Sequence, residues 1–291
     1  MSRPIYKISS IARPLEPKYP TNLAVLILLP IAGLIVGAAA WEFRDASLFE
    51  AAAAGGEGAL VAFIAWALGR ELDPDRNEAA FIGMALAVAM VAIGWSPAVW
   101  SLALALMATR IVNRTVGQPA KASDLVLVLG LTAAAVFRDG VWLMGAVFAL
   151  AVIFDVMLDR TRVLSLIFAF LGVGLSVFVL VERGGEPMAL IEAGLAAVEI
   201  EWMITTGIVA AIYALMLLSL PPVESVGDAT GAALDRIRIR AGGLITLLAV
   251  FASLAEGQEA LLASLPIWAV IAGAIQARAI PKATARAGQD S

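Results

Sequence analysis

The stretch Asp155-Val-Met-Leu-Asp159-Arg160-Thr-Arg162-Val-Leu-Ser-Leu-Ile-Phe-Ala-Phe-Leu-Gly172-Val-Gly174-Leu-Ser-Val-Phe-Val-Leu-Val-Glu182-Arg183 decides the fold. Its uncharged centre is long enough to cross a bilayer's hydrocarbon core, which takes about 20 helical residues. Charges stand only at its two ends, where water and headgroups begin. The pattern recurs outward from it. Ten apolar segments lie at 22–41, 51–69, 79–94, 97–111, 124–137, 140–157, 162–181, 202–220, 241–254 and 260–277. Hydrophobic residues make up 61% of the chain and the mean hydropathy is +0.91, well beyond a soluble domain. The expected fold is an all-α, polytopic transmembrane helix bundle of about ten helices.

Basic residues set the expected orientation. Seventeen of the 20 Lys and Arg fall in the N-terminal arm or in connections after even-numbered segments; only Arg44, Arg138 and Arg183 fall on the other side. The positive-inside rule then places both termini in the cytoplasm of a cell inner membrane. The 24 acidic residues divide evenly. The outer face is therefore negative and the inner face positive. The first segment reads as a span and not as a cleaved signal peptide, because its basic arm is long and nine segments follow.

The chain has no cysteine and no histidine. Disulfides, Cys or His metal sites, His-ligated haem and Ser-His-Asp or Cys-His catalysis are excluded. A metal would be a hard cation on carboxylates.

Segments 3, 4, 5 and 9 fall short of a perpendicular span. Gly94-Trp95-Ser96-Pro97 and Phe137-Arg138-Asp139-Gly140 are tight turns, so segments 3–4 and 5–6 are each either two tilted spans or one re-entrant hairpin. Trp41, Trp95, Trp100, Trp142 and Trp202 near predicted outer ends favour full spans. Small residues such as Ala51–Gly56 and Gly172/Gly174 suit close helix packing in lipid. Residues 1–21, with four prolines, read as a cytoplasmic arm on anionic headgroups, and 278–291 as a cytoplasmic tail. Ile191, Leu195, Val198 and Trp202 recur at helical spacing, so 188–201 reads as an amphipathic helix on the outer surface or as the start of a longer eighth helix. Glu57, Arg138 and Asp139 are charges near the outer boundary.

The richest chemistry is on the inner side. Segments 2, 4 and 6 end in Arg70-Glu71-Leu72-Asp73-Pro74-Asp75, Arg110-Ile111-Val112-Asn113-Arg114-Thr115 and Asp155-Val156-Met157-Leu158-Asp159-Arg160-Thr161-Arg162. The last two share [Asn/Asp]-Arg-Thr, and the first two share Arg-x-x-[Asp/Asn]. This points to two-helix repeats in the first six segments that deliver one polar cluster to one face, as in transporter folds. Arg70, Arg110, Arg114 and Arg160 suit bidentate grip of a phosphate or carboxylate. Asp73, Asp75, Asn113, Asp155 and Asp159 orient them or hold a cation. The same residues also suit plain mutual pairing that anchors the bundle at headgroups.

Asp73/Asp75 and Asp155/Asp159 follow the second and sixth segments, a placement that resembles the aspartate-rich cytoplasmic motifs of intramembrane aromatic prenyltransferases. That family's longer first motif, an asparagine followed by regularly spaced aspartates, is absent here. The resemblance implies an enzyme holding magnesium against a prenyl diphosphate. Three classes therefore stand open. One is a transporter-like carrier of a small anionic or lipid-borne ligand, with no cofactor. The second is a magnesium-using lipid-phosphate enzyme. The third is an accessory subunit with membrane-protein partners. The bilayer is a partner in all three and nucleic acid in none.

Overall fold

The computed structural model describes residues 5–159 and 163–281. Helices dominate: α1 (Ile5–Ile8), α2 (Pro20–Phe43), α3 (Leu48–Leu72), α4 (Asn77–Ala92), α5 (Val99–Asn113), α6 (Ala122–Phe137), α7 (Met144–Asp159), α8 (Val163–Glu182), α9 (Pro187–Ala196), α10 (Ile200–Leu218), α11 (Arg236–Leu254), α12 (Gln258–Ala263) and α13 (Leu265–Ala279). Among the described residues the only β pairing is a single Val226–Ala233 bridge in the α10–α11 connection. Five helices, α2, α3, α8, α10 and α11, are long and apolar enough to cross a membrane.

Local chemistry places the helix ends. Ser47 and Glu50 form a reciprocal capping box at the start of α3. Asp235 accepts from the Ile237 N–H at 2.8 Å and starts α11. Arg236, Arg238 and Arg240 therefore sit inside the first turns of α11, where the apolar run alone suggested a loop. Segment 10 breaks at Ser264, and Pro266 occupies the first turn of α13, where its missing N–H costs nothing. The expected surface helix 188–201 is shorter: α9 ends at Ala196, and Glu199 donates its N–H to Gln258 Oε1 at 2.8 Å. That bond makes a bend, so α10 starts afresh at Ile200.

Packing divides into two groups. Helix α3 packs with α2, α4 and α13; α5 packs with α6, α7 and α11, and α8 covers α6 and α7. Contact between α3 and α5 joins the groups. At the α2–α3 crossing backbones touch: a Cβ on Gly33 would meet the Gly55 carbonyl at 2.9 Å, and one on Gly55 the Gly33 carbonyl at 2.8 Å. With Gly37 one turn on, this is the small-xxx-small packing used where lipid removes any hydrophobic drive between helices.

The outside is apolar. Leu166, Ile167, Phe170, Val177 and Phe178 of α8, and Ile204, Ile208, Ile212 and Leu215 of α10, are exposed. Apolar surface on this scale is a liability in water and is matched by hydrocarbon. The polar side chains go inward or to the ends, as in a membrane-embedded protein.

Candidate functional site

Polar contacts between elements fall into two sets that do not mix. One end holds Asp139 accepting from Ser101 N at 2.7 Å, and Glu256 paired with Arg183 at 2.7 Å and with the Trp142 N–H at 2.9 Å. The other end gathers the N-terminal arm with the ends of α3, α5, α7 and α13 and the start of α11.

This second end is built around Glu71, which is fully buried. Its Oε1 accepts from Arg110 Nε at 3.1 Å, Arg13 Nη1 at 3.3 Å and Thr115 Oγ1 at 3.2 Å. Asn113 Nδ2 donates to the Glu71 carbonyl at 2.9 Å. A buried carboxylate is costly unless it is paired and hydrogen-bonded; three donors on Oε1 meet that need, and Asn113 Nδ2 also reaches Oε2 at 3.5 Å. Beside it, Arg114 clamps Asp155 bidentately, Nε–Oδ1 at 2.6 Å and Nη2–Oδ2 at 3.0 Å, and reaches Asp159 through Nη1. Arg114 caps α5 with φ of +51°, a left-handed turn that is uncommon for a residue with a Cβ. Burial disfavours the Arg114 charge, but the bonds to Asp155 and Asp159 hold its pKa above the ordinary guanidinium value. Arg238 of α11 completes the group, donating to Asp155 Oδ1 at 2.8 Å and to the Val112 carbonyl at 3.0 Å.

The remaining predicted site residues lie apart. Asp73 pairs with Arg278 at 2.7 Å; burial lifts its carboxyl above the ordinary range despite that partner. Asp75 accepts from the N–H groups of Glu224 and Ser225 at 3.0 and 2.8 Å and so ties down the α10–α11 connection. Arg160 lies outside the described residues. The expected cluster is thus three neighbouring knots: Glu71 with Arg110 and Asn113, Asp155 and Asp159 with Arg114, and Asp73 with Arg278. Asp73, Asp155 and Asp159 face arginines and Asp75 faces backbone N–H groups. Among the described residues no three carboxylates come together in a way that holds a metal ion.

Sequence reading missed Glu71, Arg13, Arg238 and Asp228. Glu71 follows Arg70 directly, so it points to a different side of α3. An acid one residue off a basic stripe is the signal that marks it. Arg13 is reached only because the arm does not lie free along headgroups. Ser10 donates from N and Oγ to Asp124 Oδ2 at 2.9 and 2.7 Å, and Tyr6 and Ile11 are buried. The docked arm carries Arg13 to Asp228 at 2.7 Å as well as to Glu71. Burial opposes the Arg13 charge, and the Glu71 and Asp228 carboxylates more than offset it, holding its pKa above the usual value.

Between the arm, α2, α3, α5 and the 226–231 loop lies a cavity of about 410 Å³. Arg13, Arg70 and Arg110 line it together with two acids, Glu16 and Asp228, and the aromatic rings of Tyr6, Tyr19, Phe63 and Trp66. Arg70 stands apart from the other arginines here. Its guanidinium lies over the Trp66 ring at 5.2 Å and touches Asn22 Oδ1 at 3.4 Å, and among the described residues no carboxylate lies within ion-pair distance. Trp66 is 3% exposed and its indole N–H has no hydrogen-bond partner. A half-buried arginine over an aromatic face, next to an unmet N–H donor, is a place for an anion with an apolar part.

Comparison with known families, characterised proteins and solved structures gives no match for this chain.

Proposed function

We propose that the protein is a multi-pass inner-membrane carrier that binds a small anionic or lipid-borne ligand in the Arg70 cavity. One observation carries the reading: Arg70 lines the cavity over the Trp66 ring with no ion-pair partner among the described residues, while Arg110, Arg114 and Arg238 are engaged with carboxylates. Arg70 is the principal contact in this scheme. Arg13 and Arg110 flank it and are balanced by Glu71 and Asp228, which leaves Arg70 as the unpaired charge at the cavity among the described residues. The knots of Arg114, Asp155, Asp159, Asp73 and Asp75 hold the helix ends around the cavity.

In this reading ten helices cross: α2 to α8, α10, α11 and α13. The separate packing of α4 on α13 and of α5 on α11 supports two spans in place of one re-entrant hairpin. The arginine-rich end faces the cytoplasm, with both termini, by the basic asymmetry. The Arg-x-x-[Asp/Asn] and [Asn/Asp]-Arg-Thr matches at the ends of α3, α5 and α7 support the two-helix repeat. Reporter fusions after residues 45, 140 and 185 all read outside in this topology; one inside reading breaks it.

The binding test uses inorganic phosphate and short-chain phosphatidic acid as probes. Arg70→Ala leaves insertion intact and weakens binding of at least one probe by about 10- to 100-fold, the value of a hydrogen bond to a charged group at about 1.5–3 kcal/mol. If Arg70→Ala binds both like the parent, the end is a structural anchor and the accessory-subunit reading leads. Magnesium-dependent turnover of a prenyl diphosphate would install the enzyme reading instead.

A further inference from the structure

A second concavity lies away from the Arg70 cavity, where α7, α10 and α11 meet at the same end of the bundle. It encloses about 450 Å³ and its walls are apolar, among them Met157 and Leu158 of α7, Leu218 of α10, and Ile237 and Leu244 of α11. These side chains are exposed, so the groove opens outward. Among the described residues its one charged lining residue is Arg240.

Arg240 is held in an uncommon way. Its Nη2 donates to the carbonyls of Leu218, the last residue of α10, and Leu220 just beyond it. Its Nε–H is buried and has no hydrogen-bond partner. Arg236 precedes it by four residues, so the two guanidinium stems share one face of α11. Arg236 itself is solvent-exposed. The acid beside the groove, Asp159, is bound to Arg114, and Asp235 caps α11. The rim therefore carries two guanidinium groups above an apolar trough.

We infer that this groove seats one acyl chain of an anionic phospholipid of the surrounding leaflet, with the lipid phosphate on the guanidinium groups of Arg240 and Arg236. Apolar walls supply the chain site, and the two arginines supply the charge complement. The depth agrees as well: the arginines stand at the helix end, where a phosphate lies, and Leu244 is one turn further in. The site is independent of the Arg70 cavity and shares no lining residue with it.

Native mass spectrometry of the full chain in detergent tests this, with phosphatidylglycerol and phosphatidylcholine of equal chain length as probes. The parent retains one phosphatidylglycerol in preference to phosphatidylcholine. Arg240→Gln lowers that retention about tenfold or more, the scale of one lost bond to a charged group. Because Arg240 also ties down the end of α10, Leu244→Trp serves as a second variant. It fills the trough, keeps both arginines, and should lower retention likewise. Equal retention of the two lipids by the parent, or parental selectivity in Leu244→Trp, overturns the assignment. Arg70→Ala leaves the adduct unchanged, which separates this site from the carrier cavity.

Discussion

Helices α8 and α11 are of nearly equal length, yet they use their surfaces in opposite ways. The core window of α8 is the more apolar and is 28% buried; that of α11 holds two arginines, Arg238 and Arg240, and is 67% buried. In water the order would be reversed. Here α8 spends its leucines and phenylalanines on the surroundings, and α11 fills the interior with Gly242, Thr246 and Arg238. Thr246 meets Thr109 of α5 at 2.8 Å, and Arg238 meets Asp155 of α7. Burial in this bundle follows partnering and close approach, because hydrocarbon is as good a neighbour for leucine as another leucine is.

The sharpest way to break that comparison is to remove a buried partner. Glu71→Ala strands Arg110 and leaves Arg13 only Asp228, and it should cost about 3–5 kcal/mol, the penalty for an uncompensated buried charge. Denaturant titration of the purified protein in detergent measures it. A loss under about 1 kcal/mol would mean that water already reaches the arginines and that the knot is not dry.

Close approach comes next. Gly55→Leu drives a side chain into the Gly33 backbone and should cost about 1–3 kcal/mol by overpacking. Gly56→Leu, where a Cβ meets nothing within 4 Å, should cost far less than Gly55→Leu by the same titration. Equal losses would dismiss the α2–α3 crossing.

A pH series sharpens the polar side of the comparison. The folded Asp73 carboxyl titrates above its unfolded value. Between the two values the folded chain binds more protons, so this group's contribution falls as pH rises through and just above the ordinary aspartate range. The parent should gain stability relative to Asp73→Asn as pH is lowered through that window. A gain in the opposite direction would mean that the Arg278 pairing outweighs burial.

The smallest effect belongs to α8. Phe170 is 74% exposed, so Phe170→Leu should alter stability by no more than about 0.5 kcal/mol. A larger loss would reveal a protein partner covering this face.

Much of the fold was legible in the chain because each apolar segment must satisfy its own backbone bonds as a helix, whatever surrounds it. Each of the ten segments is mainly helical, the tenth as two helices, and the turns at Gly94 and Gly140 fall where glycine with positive φ was needed. The ends of α3, α5 and α7 carried visible polar signatures, and the structure brings Asn113 to Glu71 and Arg114 to Asp155. Which acid meets which base was not legible. Glu71 sits one residue from Arg70 yet faces another way, since successive helical residues are rotated by about 100°. Asp73 and Asp155, alike in sequence setting, take different arginines from helices far along the chain.

Sequence alone determined that this protein is helical, membrane-seeking and charge-asymmetric, because those properties are sums over local composition. Tertiary structure decided that the arm docks through Ser10 and Arg13, that α11 is central, and that of the three arginines lining the cavity Arg70 is the one without an ion-pair partner among the described residues. Those are pairings between positions many residues apart. Their energies depend on the distance and burial of both partners, which no local pattern encodes.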